Sequence, residues 1–316
     1  MKEAPFQYIY GPVPSRRLGQ SLGVDLVPFK TCTYDCIYCQ LGHTTNKTIK
    51  RMTYVEEDAI IAELERKLAT GCTPDYISLA GSGEPTLHAG IGRLIVRIKG
   101  LTRLPVAVLT NGSLLWKSEV QDALLEADLV LPSLDAGSER LFMFVNRPHP
   151  EITFAKMLDG LAEFTRCFTK SVWLEIFLLA GITGVASEVE KIAELVRCIQ
   201  PERVQLNTVS RPPCEEIAHA VPLQDMKMFS EMFPVKAEVI GDTGHIEGLY
   251  AKPAGVTDTD ILGLLSRRPC TISDISSGLG IHVAEAAKRL QSLFKRGEVG
   301  TVRQKGRLFY KIGKSK

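Results

Sequence analysis

Short apolar runs rich in Val, Ile and Leu alternate, over residues 1–240, with longer stretches whose apolar positions recur at helical spacing. The runs predict strands over Leu22–Val27, Asp75–Leu79, Val106–Leu109, Leu129–Leu134, Val172–Leu178 and Arg203–Leu206. Helices are predicted over Glu56–Ala69, Ile91–Ile98, Lys117–Ala127, Phe154–Phe168, Glu188–Ile199 and Leu223–Phe233. Thr53-Tyr54-Val55-Glu56 reads as a capping box for the first of them. Six strand-then-helix units in series call for parallel strands covered by helices, an α/β fold most simply read as a partial (β/α)6 TIM-like barrel.

The pattern changes after a Gly- and Pro-containing stretch. Residues 1–240 form one predicted domain, 241–256 a linker, and 257–316 a second, smaller domain. In the latter, helices are predicted over Thr257–Ser266, Thr271–Leu279 and Val283–Phe294, the third with Ala284, Ala287, Leu290 and Phe294 on its inner face. Val299–Arg303 and Leu308–Ile312 make a hairpin about Lys305-Gly306. Three helices and a two-stranded ribbon resemble a winged helix-turn-helix.

Charge sharpens that division. The net charge of +2 conceals 12 Lys and Arg against 5 Asp and Glu from Gly255 onward, which leaves 26 against 31 in the rest. An acidic body with a basic tail suggests two modules with different partners. The 316 residues, 45% hydrophobic, suffice for a large core, and no apolar run approaches the roughly 20 residues of a membrane span. Met1–Pro5 lacks the apolar core of a signal peptide, so a cytoplasmic protein with no membrane partner is expected.

Three of the eight cysteines, Cys32, Cys36 and Cys39, stand at the spacing CxxxCxxC, with Tyr38 before the last. Three closely spaced thiolates can hold three corners of a cubane iron–sulfur cluster and leave the fourth iron open to a small molecule. Other readings remain. Cys36 and Cys39 alone form a CxxC redox pair, which leaves Cys32 unexplained. Zinc asks for a fourth ligand, and His43 is four residues past Cys39. The scattered Cys72, Cys167, Cys198, Cys214 and Cys270 read mostly as small buried hydrophobes, with Cys214 the one to follow.

The unusual motifs fall in phase with the predicted strands. The cysteine loop follows the first, Gly81-Ser82-Gly83-Glu84-Pro85 the second and Thr110-Asn111-Gly112 the third. Ser133-Leu134-Asp135 ends the fourth, Gly181-Ile182-Thr183-Gly184 follows the fifth, and Asn207-Thr208 ends the sixth. The C-terminal ends of parallel strands are where such folds gather their chemistry. Glu175 lies within the fifth strand, facing either inward as a substrate contact or outward as a solvated carboxylate. Arg147 and Arg211, each beside a stiffening proline, are candidate anion binders, while Arg16 and Arg17 read more readily as surface residues.

The cysteine run with its aromatic residue, followed one strand later by the turn Ser82-Gly83-Glu84, resembles the radical S-adenosylmethionine (SAM) enzymes over residues 1–210. Gly11-Pro12-Val13-Pro14-Ser15-Arg16-Arg17-Leu18-Gly19 and Asn146-Arg147-Pro148 look like a prokaryotic subgroup distantly similar to the wyosine-base tRNA enzymes. Those enzymes carry further upstream cysteines, and none precedes Cys32. The resemblance implies that Cys32, Cys36 and Cys39 ligate a [4Fe-4S] cluster whose open iron binds SAM. It implies that backbone oxygens of Ser82, Gly83 and Glu84 meet the methionine ammonium. Asn111, Ser133 and Asp135 would meet the ribose and methionine carboxylate, and Tyr38 and Ile182 the adenine. It further implies reductive cleavage of SAM to a 5′-deoxyadenosyl radical, with electrons from a ferredoxin- or flavodoxin-type donor.

In the tail, Lys288 and Arg289 on the third helix and Arg303, Lys305 and Arg307 at the ribbon would face nucleic-acid phosphates, with peptide or protein docking as the second reading. The expected function is thus a radical SAM enzyme acting on RNA or another macromolecule. The alternatives are an iron–sulfur redox-sensing regulator that binds nucleic acid, and a radical activase or peptide-modifying enzyme.

Overall fold

In the computed structural model, residues 6–240, 256–304 and 306–313 are described. The chain opens with an antiparallel hairpin, β1 (Ile9–Ser15) and β2 (Gly19–Val24). The long loop after β2 contains two minimal strands, β3 (Thr31–Cys32) and β4 (Asn46–Lys47), paired parallel. Then come α1 (Glu57–Leu68), β5 (Tyr76–Leu79), α2 (Ile91–Leu101), β6 (Val106–Leu109), α3 (Ser118–Leu124) and β7 (Leu129–Leu131). After α4 (Glu139–Val145) and α5 (Phe154–Cys167) follow β8 (Ser171–Leu178), α6 (Ala186–Ile199), β9 (Arg203–Thr208), α7 (Leu223–Ser230) and β10 (Ala237–Val239).

These strands form one sheet in the order β1-β2-β5-β6-β7-β8-β9-β10. All neighbours from β2 onward pair in parallel. β1 and β10 are the two ends of that order, so the α/β sheet is open, as in an incomplete barrel. Helices on one face and Leu18, Tyr76 and Trp173 on the other bury β6 and β7 almost completely, which is why these strands read as continuous apolar runs rather than alternating ones. α2 shows the complementary pattern, burying Ile91, Leu94, Ile95 and Ile98 at helical spacing.

Several boundaries differ from expectation for local reasons. α1 starts after Glu56 with no side-chain cap, so Thr53 does not form the predicted capping box. β7 stops at Leu131 because Pro132 has no N–H to continue the ladder; Ser133 rejoins it through a bridge to Glu175. β1, β10 and α4 lie outside the six predicted units. Of the five scattered cysteines only Cys270 is buried; Cys72 and Cys214 are half-buried, and Cys167 and Cys198 are exposed. Among the described residues no helix is long and apolar enough to cross a membrane.

The C-terminal part comprises α8 (Asp258–Leu265), α9 (Ile272–Leu279), α10 (Val283–Lys295) and the antiparallel ribbon β11 (Val299–Gln304) and β12 (Arg307–Ile312). Thr257 and Thr271 close full capping boxes with Asp260 and Asp274 at the starts of α8 and α9. The inner face of α10 is Ala286, Leu290 and Leu293, not the predicted set; Ala284 and Phe294 are exposed. The linker expected at 241–256 falls, apart from Val256, outside the described residues.

The C-terminal core is not self-contained. Val13 of β1 belongs to the same apolar cluster as Ile261, Leu264, Ile275 and Leu290, and Tyr10 packs against it. α9 lies along β1, where Gly278 faces Pro14. The Arg267 guanidinium stacks over the Tyr10 ring at 4.5 Å and donates to the Gln7 carbonyl at 2.9 Å. The helices are therefore docked on the first hairpin.

Candidate functional site

The loop between β2 and β4 carries the three cysteines, and backbone hydrogen bonds fasten it to the turn after β5. The Lys30 N–H donates to the Ser82 carbonyl at 2.7 Å, and the Glu84 N–H donates to the Thr31 carbonyl at 3.1 Å. A Cβ on Gly83 would lie 1.9 Å from the Thr31 oxygen, so only glycine lets the two segments meet. Of the three turn carbonyls, those of Ser82 and Glu84 accept protein N–H groups, from Lys30 and Leu87.

Each cysteine sulfur has its own donor. Asn111 Nδ2 reaches Cys32 Sγ at 3.6 Å, Asn146 Nδ2 reaches Cys36 Sγ at 3.5 Å, and Lys30 Nζ reaches Cys39 Sγ at 3.2 Å. Lys30 is 3% exposed and held at φ 59°, a left-handed conformation unusual for a lysine. Burial pushes the Cys32 thiol up to about 12 and raises that of Cys36 as well. Bare thiolates are thus disfavoured at Cys32 and Cys36, and a cationic centre is what would let those two sulfurs deprotonate. No three His, Cys, Asp or Glu side chains among the described residues converge as a single metal ion requires. A cubane instead asks its thiolates to reach separate irons, and three sulfurs with three donors suit it. His43 faces Asp35 and Glu215, at 3.3 and 3.8 Å.

Two buried carboxylates brace this loop. Glu84, 2% exposed, accepts from the Thr86 N–H and hydroxyl, the Thr110 hydroxyl at 2.6 Å and the Asn111 N–H at 2.8 Å. It ties the ends of β5 and β6 together; burial raises its carboxyl, against those four bonds. Asp135 accepts from the Tyr38 hydroxyl, from Asn146 Nδ2 at 2.7 Å and from the Phe177 N–H at 3.1 Å. Burial pushes its carboxyl up to about 6 despite these donors. The Tyr38 ring stacks on Phe177, centroids 4.0 Å apart, and Ile182 completes that apolar cluster.

These groups open onto a single cavity of about 1000 Å³. Cys32, Cys39, Tyr38, Ser82, Gly83, Ser133, Glu175 and Arg211 line it, whereas Cys36, Glu84, Asn111, Asp135 and Ile182 lie behind its surface. Asn111 and Asp135, expected on ribose and carboxylate, spend their side chains on Thr33, Cys32, Tyr38 and Asn146. Glu175 points inward, since β8 turns Trp173, Glu175 and Phe177 to one face and buries the alternate residues on the other. It accepts from Arg17 and from Asn207 Nδ2 at 3.0 Å. Arg17 is therefore a cavity residue and not the surface residue its sequence suggests. Arg147 lies outside the cavity, paired with Glu215 at 2.7 Å.

The opposite wall is C-terminal. Arg267, Arg268, Thr271, Ser273, Asp274, Ser277 and Arg307 line the same cavity. Arg211 donates to the Pro269 carbonyl at 3.1 Å and to Asp274 at 3.3 Å. Arg267 approaches Asp25 at 3.8 Å, and Asp25 accepts from both the N–H and the hydroxyl of Ser82. A C-terminal arginine thus reaches the Ser82 turn through one carboxylate. Of the tail's expected nucleic-acid contacts, Arg289 is held by Glu285 and Asp258, Lys288 is exposed, and Lys305 falls outside the described residues. The ribbon register sets Arg303 across from Leu308 and Gln304 across from Arg307, so Arg303 and Arg307 lie on opposite ribbon faces.

Sequence reasoning missed Lys30, Asn146 and Asp25 as site residues. Asn146 stood in the Asn-Arg-Pro motif, but its partner sulfur is 110 residues away in the chain. Asp25 has no local signal at all.

Comparison with known proteins agrees with this geometry. The radical SAM superfamily matches residues 26–196. UPF0026 protein MJ1312 of Methanocaldococcus jannaschii is 32% identical over 82% of this chain and 82% of its own length. A Brachyspira hyodysenteriae protein named GTPase Obg is 40% identical over 96% of this chain, which spans only 45% of that longer protein. A solved radical SAM methyltransferase from Sphaerobacter thermophilus superposes with a TM-score of 0.54 at 18% identity, over 69% of this chain and 65% of its own, a likeness of fold. With the cysteine loop, its donors and the parallel rim as described, the chain belongs to the radical SAM superfamily, and its cofactors are a [4Fe-4S] cluster and SAM.

Proposed function

We infer that this protein cleaves SAM reductively and uses the resulting radical on a substrate admitted to the cavity between the rim and the C-terminal helices. The observation that carries this reading is the set of three thiols, each with its own hydrogen-bond donor, beside a glycine turn that opens on the same cavity. Cluster and SAM, when bound, would supply one-electron reductive cleavage of the sulfonium and hydrogen-atom abstraction from the substrate.

The residues of the chain hold and orient. Cys32, Cys36 and Cys39 would ligate the cluster, and the Asn111, Asn146 and Lys30 donors would stabilise its thiolates and tune its potential. Gly83 offers the turn carbonyl to which no described protein group donates, the natural acceptor for the methionine ammonium. Ser133 presents its hydroxyl at the cavity, and the stacked Tyr38 and Phe177 form an apolar wall suited to a base. Asn111 and Asp135 act one step back, by positioning Cys32 and Tyr38. Glu175, gripped by Arg17 and Asn207, closes the floor next to the substrate. A low-potential donor of the ferredoxin or flavodoxin type would supply the electron.

The test is 5′-deoxyadenosine formation by anaerobically reconstituted protein with SAM and a strong reductant, compared with Cys36→Ala. Product that requires Cys36 is expected. An intact cluster that forms no product would instead favour a redox sensor.

A further inference from the structure

Among the described residues, seven cationic side chains line the cavity against two carboxylates, Glu175 and Asp274. Those two carboxylates are already held by Arg17 and Arg211. Arg268, on the loop between α8 and α9, makes no ion pair within 4.0 Å among the described residues, although its charge helps to hold the Asp274 carboxyl low. Arg16, in the β1–β2 turn, and Arg307, at the start of β12, each with interactions of its own, bring two more cations to the same walls. Ser273 and Ser277, one helical turn apart on α9, line it as well.

The resident cofactors do not use up this excess. Three thiolates outweigh the charge of the oxidised cubane core by about one unit, which the sulfonium of SAM offsets. Nor does SAM fill the space, because a cavity of about 1000 Å³ stands at the upper end of the roughly 300–1000 Å³ usual for one ligand. What remains is a second subsite, basic and rich in hydroxyls, that shares its cavity with Cys32, Cys39 and Gly83.

Resting on the reading above, we propose that this subsite binds a phosphate-bearing substrate, with Arg16, Arg268 and Arg307 as its phosphate ligands from three separate elements. Guanidinium groups match phosphate oxygens with paired donors, and they hold their charge at any working pH. On this assignment the C-terminal helices complete the active site, and the cations that matter lie on the inner side of the tail. The outward Lys288 and Arg303 are not part of it.

The experiment is equilibrium binding to the cluster-loaded, SAM-bound full chain, with two probes: inorganic tripolyphosphate, and a fluorescein-labelled single-stranded RNA of ten uridylates. At least one probe should bind, with an affinity that falls steeply as salt rises. Arg268→Met with Arg307→Met should weaken that binding by about tenfold or more and flatten the salt slope by about one unit for each phosphate left without its guanidinium. The control pair Lys288→Met with Arg303→Met should leave it unchanged. Iron content and the melting temperature report whether each variant is folded. Tripolyphosphate alone binding would identify a small phosphorylated substrate, and RNA binding a phosphodiester one; both support the subsite. The proposal is overturned if neither probe binds, or if binding survives loss of Arg268 and Arg307 but not of Lys288 and Arg303. Deoxyadenosine formation without phosphate binding would sink this inference alone, whereas phosphate binding without deoxyadenosine formation would sink the radical reading and spare the subsite.

Discussion

The two walls of the cavity are built on opposite principles. On the rim side the two buried carboxylates and the three cysteines are partnered within the chain: Glu84 accepts four hydrogen bonds, Asp135 three, and each cysteine of the loop has one donor. On the C-terminal side, among the described residues, Arg267, Arg268 and Arg307 line the cavity with one carboxylate, Asp274. A saturated wall is preorganised for groups that arrive once and stay, while an unsaturated wall waits for something that comes and goes. On our proposal the contrast separates a cofactor site from a substrate site within one cavity.

The saturated wall should be the more costly to disturb. Glu84→Ala would strand four buried donors, at about 3–5 kcal/mol, and lower the Tm by on the order of 10 °C with loss of bound iron; calorimetry and iron analysis read both. A variant with wild-type Tm would show that the clasp between β5 and β6 is dispensable. Lys30→Met removes a buried cation 3.2 Å from Cys39 Sγ. It should leave the fold intact but bring iron occupancy down several-fold and move the cluster potential, as measured by redox titration with an electron paramagnetic resonance readout. Unchanged potential would assign Lys30 to packing alone.

The link between the walls can be broken separately. Arg267→Met removes the cation beside Asp25 and should weaken SAM binding by about three- to tenfold in equilibrium dialysis, with iron content unchanged. Burial already raises the Asp25 carboxyl, and Arg267 is among the groups opposing that rise. In the variant, SAM affinity should therefore begin to fall at a higher pH as the solution is acidified. Identical pH profiles would uncouple the tail from the turn.

The smallest effect is expected at Asp274. Burial pushes its carboxyl up, but Arg211, the Thr271 N–H and Arg268 outweigh burial and hold it below the ordinary range. A depressed carboxyl contributes stability above its unfolded pKa of about 4 and loses it as the pH falls toward the folded value. Asp274→Asn should thus cost at most about 1 kcal/mol at neutral pH, and the difference from wild type should shrink in melts below about pH 4 and vanish once the pH is below the folded pKa. A difference that persists in acid would point to lost packing rather than lost charge.

Much of this molecule is legible along the chain. The strand–helix alternation specified a parallel sheet, and the CxxxCxxC spacing specified three thiolates on one loop, because helical and strand periodicity and short-loop ligand spacing are local properties. The three tail helices and the ribbon also lie within a residue or two of where their pattern puts them, while the inner face of α10 does not, since Leu293 and Phe294 compete for the core and only packing against α9 and β11 decides between them. What the tertiary structure alone decided is which distant residues meet. Asn146 finds Cys36, Glu84 joins two strand ends, Arg17 turns in to Glu175, and Arg267 reaches Asp25 across more than two hundred residues. Such pairs leave no trace in local periodicity, because their partners are selected by the order of strands in the sheet and by the docking of the tail on β1. The sequence by itself determined the elements and the spacing of the three cysteines; the fold determined what surrounds them, because only a closed core can fix where long side chains end.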